Sequence, residues 1–453
     1  MKSLLANISF KRIPLLAAVV CGLFCFGCSR PSADGPVVIQ YWEKWSGFES
    51  DAMQSVVDDF NASQNRIHVE YSSIGELDRK FMMATAGGVP PDVAGIWCSS
   101  LPVYAENNAL TPLDHFASQY GINREKYIDV YWQLCSYRNH LWALPSTPTT
   151  LALVWNKKVF REAGLDPERP PRTIAELDED NDRLMKYRPD GSIEAMGYVP
   201  GEPNSWDAML GYWFGGSLWD GSQTITADSP ANVAAYHWVE SYTERYGAQK
   251  LITFRAGFGN IASSQNPFFN GQVAMELEGV WIYNYIKNYA PPDFEWGAAP
   301  FPTTDPSALQ DTTVAECDGL VIPAGARHPK EAFEFIAYVN SQKEMEKLCF
   351  AQRKFSPLIE CSPGFLANHP NPYIRVFLDL AKSPHATLGP PRLISWTQYK
   401  SNLSNAMSRI QAGNTTAAEA LHEVQVRQQK NLDQDLRRWN RVGPELTVEW
   451  SQQ

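Results

Sequence analysis

The chain has 453 residues, 44% apolar and 20% charged, with a formal net charge of −11. That length exceeds one ordinary hydrophobic core and calls for two domains, while the apolar content excludes disorder as the carrier of function. An acidic chain gains little from phosphate backbones, so no nucleic-acid partner is expected.

The first element is a separate object. Lys2, Lys11 and Arg12 precede an apolar stretch from Ile13 to Phe26, which ends in "FCFGCSR" and runs into the polar "PSADGP". The stretch is too short to span a bilayer well and has the layout of an export signal. It resembles a bacterial lipoprotein signal: residues 1–27 would be the signal peptide, Cys28 the lipidated residue and residues 28–35 a linker. Cys25 and Phe26 depart from the aliphatic and small residues usual there. Ordinary signal cleavage and an uncleaved anchor are the alternatives. Losing residues 1–27 would remove three Lys/Arg and no Asp/Glu, leaving the mature chain more acidic still.

After the short apolar run "VVIQ" comes "YWEKWSG", two tryptophans three apart where the backbone turns toward solvent. Met53, Val56, Val57 and Phe60 have helical spacing. "IHVEY" alternates as a strand, with Ile67, Val69 and Tyr71 on one face. A second helix through Leu77, Phe81 and Ala84 stops at Gly87-Gly88, and "PPDVAGIW" is a third strand. Strand, helix, strand, helix, strand with connections this long implies a parallel sheet with right-handed crossovers. Ligands of such sheets sit outside the carboxyl ends of the strands. Trp42, Trp45 and Trp97 then belong to one rim. Further on, a strand runs from about Leu151 to Trp155, a long helix from Asn232 to Tyr246, and "TAAE" at 416–419 has the capping-box spacing of a helix start. No linker separates two contiguous domains, which favours two lobes that exchange strands.

Beyond Cys28 lie Cys98, Cys135, Cys317, Cys349 and Cys361, an odd number without CxxC spacing, and their pairing is left open. The eight histidines form no HxH or HExxH pattern, so neither a metal site nor any other cofactor is expected. No GxSxG elbow or Walker loop is present, and "GFGNIA" at 257–262 lacks the glycine and the strand of a dinucleotide site. No catalytic residue is expected.

Taken together, "YWEKWSG", "DDFNASQNRIHVEY", "AGGVPPDV", "ENNALTPLD", "ALPSTPTTLALVWNKKVFREAGLDP", "FFNGQVAMELEGVW", "AAPFP", "DGLVIPAGARHPKEAFEFIAYVNS" and "GNTTAAEAL" resemble, in family order, the extracellular solute-binding proteins of ATP-driven carbohydrate importers, the family that includes maltose-binding protein. The resemblance implies two α/β lobes of the periplasmic-binding-protein type, joined by crossovers around a central ligand cleft. It implies lobe borders at 36–147 plus 299–343 and 148–298 plus 344–453. The implied partners are a carbohydrate, the importer's permease subunits and, through Cys28, the membrane. The implied state is an exported, periplasmic or cell-surface monomer that binds without catalysis. A secreted carbohydrate-active enzyme and a sensory protein of the same fold are the alternatives.

A sugar offers apolar ring faces and peripheral hydroxyls, so its site needs flat aromatic platforms and planar polar groups. Trp281, after the strand "VAMELEG", matches the family's stacking aromatic, and Trp396 a second platform, with a packed helix start as its alternative. Trp206 falls where the family often has an aromatic on the second lobe. Trp45 is favoured over Trp42 to reach the cleft, with Trp97 beside it. Glu43 and Lys44 are expected as polar partners at the mouth, Ser99 as a hydroxyl donor, and Asp318 as an acceptor or a turn cap. Thr149 falls where maltose-binding protein has a ligand-binding carboxylate, a departure from maltose-like specificity. Asp92 is expected to satisfy local backbone N–H groups.

Overall fold

In "VVIQYWE" the alternate residues Ile39, Tyr41 and Glu43 are buried and those between them are less so, which is the period of a strand with two unlike faces. The computed structural model describes residues 35–202 and 205–452; the expected signal peptide and Cys28 lie outside the described residues. From Val37 onward the chain forms one compact unit.

The described strands are β1 (Val37–Glu43), β2 (Ile67–Ser73), β3 (Val93–Trp97), β4 (Ser136–Tyr137), β5 (His140–Leu141), β6 (Leu144–Asn156), β7 (Lys186–Tyr187), β8 (Ile193–Tyr198), β9 (Val273–Gly279), β10 (Trp296–Ala299), β11 (Thr313–Val321) and β12 (Ala386–Leu388). One sheet runs β2-β1-β3-β11-β6-β9-β8-β7, with β10 on β6 and β12 on β11; β4 and β5 pair separately. The parallel start read from the sequence is present: β1 pairs in parallel with β2 and with β3. The helices Phe48–Ser63 and Leu77–Ala86 make the two crossovers. The first of these helices starts after Gly47, whose φ of 57° favours glycine.

The two central strands join two cores. The first half of β6 pairs antiparallel with β11, and its second half pairs with β9 and β10. All of β6 except Thr149 is buried, and its second half from Leu151 to Trp155 is a continuous apolar run. One core gathers Ile39, Phe81, Ile96, Leu144 and Phe335; the other gathers Leu151, Leu153, Trp213, Met275 and Tyr399.

Beyond residue 343 the chain serves both cores. Met345 and Leu348, and then Ile374 and Phe377, pack in the first core, whereas Trp396 to Leu432 serve the second. The last helix, Ala417–Gln452, opens on the predicted capping box: the Glu419 N–H donates to Thr416 Oγ1 and the Thr416 N–H to the Glu419 carboxylate. Its far end returns to the first core, where Trp450 meets Trp142 edge to face at 4.8 Å. Arg438 on the same helix and Arg138 both pair with buried Glu106. The amphipathic pattern specifies each helix but not which core receives it, because both cores offer the same apolar surface.

Candidate functional site

The carboxyl ends of β1 and β3 open on a cavity of about 680 Å³, within the usual range for a small-molecule site. One wall is built around a buried cation. The Lys44 ammonium lies 2.8 Å from Asp318 and 3.2 Å from Glu43, and donates to the Gly95 carbonyl at 3.3 Å. It also stands 5.2 Å from the Trp45 ring and 5.1 Å from the Trp97 ring, so the charge that holds the carboxylates also holds both indoles. Trp97 remains 46% exposed, while Trp45 is almost covered.

Crossover strands form the floor, with Thr147 and Thr149 from β6 and Glu316 and Asp318 from β11. Thr147 Oγ1 donates to Asp318 at 2.9 Å and accepts from Lys354 at 3.3 Å. Burial pushes the Asp318 carboxyl up, but Lys44 and Lys354 outweigh it and hold the group below its ordinary value. On Glu43 burial prevails over Lys44, and the carboxyl is raised. Lys44 loses by burial and gains more from Asp318 and Glu43, so it stays firmly protonated. Burial also lifts Glu316 to about 7.

The facing wall carries no ion pair among its described residues. Trp281 caps the helix Ile282–Tyr289 and lines the cavity together with Tyr285, one helical turn on. Trp206 stacks on Trp281 from outside the cavity, at 6.1 Å and 29° between planes. Gly279 leaves room for the Trp281 ring, since a Cβ there would lie 2.2 Å from its edge. Beneath it, burial raises Glu278 to about 8, against hydrogen bonds from the Gly279 N–H and Trp281.

The structure therefore brings Trp45, Trp97, Thr149, Trp281 and Asp318 to one cavity, with Lys44 among them. Trp206 supports the site without lining it. Four expected residues lie elsewhere. Glu43 is fully buried behind the wall, because β1 keeps alternating to its last residue and turns that side chain inward onto Tyr41 Oη, 2.7 Å away. Gly95 makes room for it: a Cβ there would fall 1.7 Å from Glu43 Oε2. The same alternation sends Trp42 to the other face, where it packs half-buried on the first core. Trp396 is the first residue of the helix Trp396–Gln411 and packs in the second core against Tyr399. Ser99 sits in the short turn Cys98–Ser100 and is not in the cavity wall. Asp92 accepts from the backbone N–H groups of Gln40, Arg327 and His328.

Sequence reasoning missed Glu49, Arg79, Tyr285, Glu316 and Lys354, all in the wall. Tyr285 was legible from its spacing to Trp281. Lys354 was not, because it reaches the site from a segment more than 300 residues beyond β1.

A cleft at a sheet rim, floored by crossover strands and walled by indoles, defines a two-lobed solute-binding protein. The chain belongs to the family described as bacterial extracellular solute-binding protein, whose profile matches residues 48–346. It is similar to the structure of CpMnBP1 with mannotriose bound, at 28% identity and a TM-score of 0.76, covering 86% of this chain and 99% of that one. It is 21% identical to the maltotriose-binding protein of Pyrococcus abyssi over 72% of this chain and 67% of the relative. It is 22% identical to the sn-glycerol-3-phosphate-binding periplasmic protein UgpB of Yersinia enterocolitica over 84% and 89%. Among the described residues no helix is long and apolar enough to cross a membrane.

Proposed function

We propose that the protein captures a neutral mono- or oligosaccharide between its two lobes and delivers it to the membrane subunits of an ATP-driven importer, acting as a monomer tethered through a lipid on Cys28. The lobes meet at β6 and β11, which serve as the crossovers between them. The observation that carries the reading is the wall of the cavity, which Trp45, Trp97 and Trp281 line, indoles being suited to sugar C–H surfaces.

The charges favour a neutral guest over a phosphate. The wall holds three cations, Lys44, Arg79 and Lys354, against five carboxylates. Each cation already has a carboxylate partner: Asp318 and Glu43, Glu76, and Glu49. An anion would enter a net-negative cavity with no free counter-charge. Thr149 Oγ1, by contrast, has no hydrogen-bond partner among the described residues.

Glu316, lifted toward neutrality, stands two residues from ionised Asp318, and pKa values pushed apart in this way are what a glycosidase uses. Asp318 is a poor nucleophile, because one oxygen meets Lys44 and the other accepts from Thr147. The reading is therefore binding without a bond made or broken.

Thermal-shift screening followed by calorimetry tests it. Manno- or malto-oligosaccharides should raise the melting temperature by mass action, glycerol 3-phosphate should not, and no shortened product should form on incubation. Stabilisation by glycerol phosphate alone, or release of shorter sugars, would overturn the reading. The intact mass of the mature protein tests the lipid on Cys28.

A further inference from the structure

Cys98, Cys135 and Cys317 are 37 and 182 residues apart along the chain, yet their sulfurs meet. The Sγ–Sγ separations are 3.5 Å for Cys98–Cys135, 3.4 Å for Cys98–Cys317 and 4.0 Å for Cys135–Cys317. A tetrahedral ion with metal–sulfur bonds of about 2.3 Å holds its sulfurs about 3.8 Å apart, so the triangle has the size of one face of such a site. A disulfide would need about 2.05 Å, well below all three separations.

Three different elements supply the thiols: the turn after β3, the end of the helix Asp129–Cys135, and the middle of β11. All three side chains are buried. Gly319 keeps room for them, since a Cβ there would sit 2.7 Å from Cys98 Sγ. Cys317 itself belongs to the wall of the ligand cavity, between Glu316 and Asp318.

The charge balance is also met. Three thiolates around a divalent ion leave one negative charge. Arg392 donates to the carbonyls of Leu134 and Ser136, on either side of Cys135, and its charge reaches all three sulfurs. It has no carboxylate ion pair among the described residues, and its Nε has no hydrogen-bond partner.

We propose that Cys98, Cys135 and Cys317 form a thiolate site for a thiophilic divalent ion of the zinc class, placed directly behind the binding cavity. Soft thiolate ligands select such ions, and binding releases the thiol protons to water. Trp97 and Asp318, which pair across β3 and β11, each adjoin one of the ligands in sequence. A bound ion would thus fasten the rim that carries both.

The test is direct. The exported protein is reduced, equilibrated with Zn2+ and desalted, and its metal content measured; Co2+ replaces Zn2+ for visible spectroscopy. One Zn2+ per chain and a thiolate-to-cobalt charge-transfer band with strong tetrahedral visible absorption are expected. Cys98→Ser, Cys135→Ser and Cys317→Ser should each weaken Zn2+ binding by more than about a hundredfold, because even outer-shell partners are worth roughly 10–100-fold. Cys349→Ser and Cys361→Ser should retain it. Since a serine in this core could impair folding, the wild-type protein provides a second measurement, in which Zn2+ should raise the melting temperature in a concentration-dependent way. Absence of bound metal and of any shift in the wild type would overturn the proposal. So would a disulfide between two of the three cysteines in the protein as exported, found by mass after blocking free thiols.

Discussion

The two walls of the cavity solve one problem by opposite means. Each must hold an indole at the rim of the cavity, Trp97 on one side and Trp281 on the other. Around Trp45 and Trp97 the fixing agent is charge: Lys44 stands between the rings and is itself clamped by Glu43 and Asp318. Around Trp281 it is dispersion and shape: Trp206 stacks behind, Gly279 makes room, and Glu278 below is pushed toward its neutral form. A buried ion pair costs desolvation and is strongly directional, whereas an indole stack costs little and tolerates sliding. The first wall is therefore the rigid template and the second the more adaptable surface.

The comparison breaks most readily at Lys44. Lys44→Met leaves Glu43 and Asp318 buried without their cation and should lower stability by about 3–5 kcal/mol, read from urea unfolding; a loss below about 1 kcal/mol would show that the clamp is not structural. On the other wall Trp281→Ala should leave stability nearly intact and weaken sugar binding by about 2 kcal/mol, roughly thirtyfold, as measured by calorimetry. If the two substitutions shift the same property, the walls do not differ in kind.

The pH response sharpens the contrast. Glu278 in the folded chain keeps its proton up to about pH 8, while in the unfolded chain it gives the proton up near the usual glutamate value. Stability from this group therefore falls as pH rises between those two points. Glu278→Gln should stabilise the protein on the order of 2 kcal/mol more at pH 7 than at pH 5, and parallel melting curves across that range would reject the assignment. Trp206→Leu should have a smaller effect, a loss of about 1 kcal/mol in sugar affinity through Trp281. The smallest change is expected from Trp396→Phe, which should leave affinity within roughly 0.5 kcal/mol because the ring lies in the second core; a larger loss would return Trp396 to the site.

Much of the frame was legible because it rests on local pattern. The alternation of "IHVEY", the spacing of Met53, Val56, Val57 and Phe60, and the order strand, helix, strand placed Trp45 and Trp97 on the carboxyl rim without any contact being known. Trp281 was legible through the family's motif and through the strand before it. Glu43, Trp42, Ser99 and Trp396 lie outside the cavity wall, and for Trp42 and Trp396 the sequence had left packing in the core as an alternative. Whether a residue beside a turn faces the cleft or the core depends on where the strand or helix ends, and one residue of difference reverses the face.

By itself the sequence determined the elements, the parallel beginning of the sheet and the presence of indoles at its rim, since these follow from short-range periodicity and turn chemistry. Only the tertiary structure decided that Lys44 is the hub of one wall, that Lys354 and Tyr285 join the cavity, and that three cysteines without any motif converge behind it. Such meetings depend on which surfaces bury one another, and residues hundreds of positions apart carry no mutual spacing from which that choice could be read.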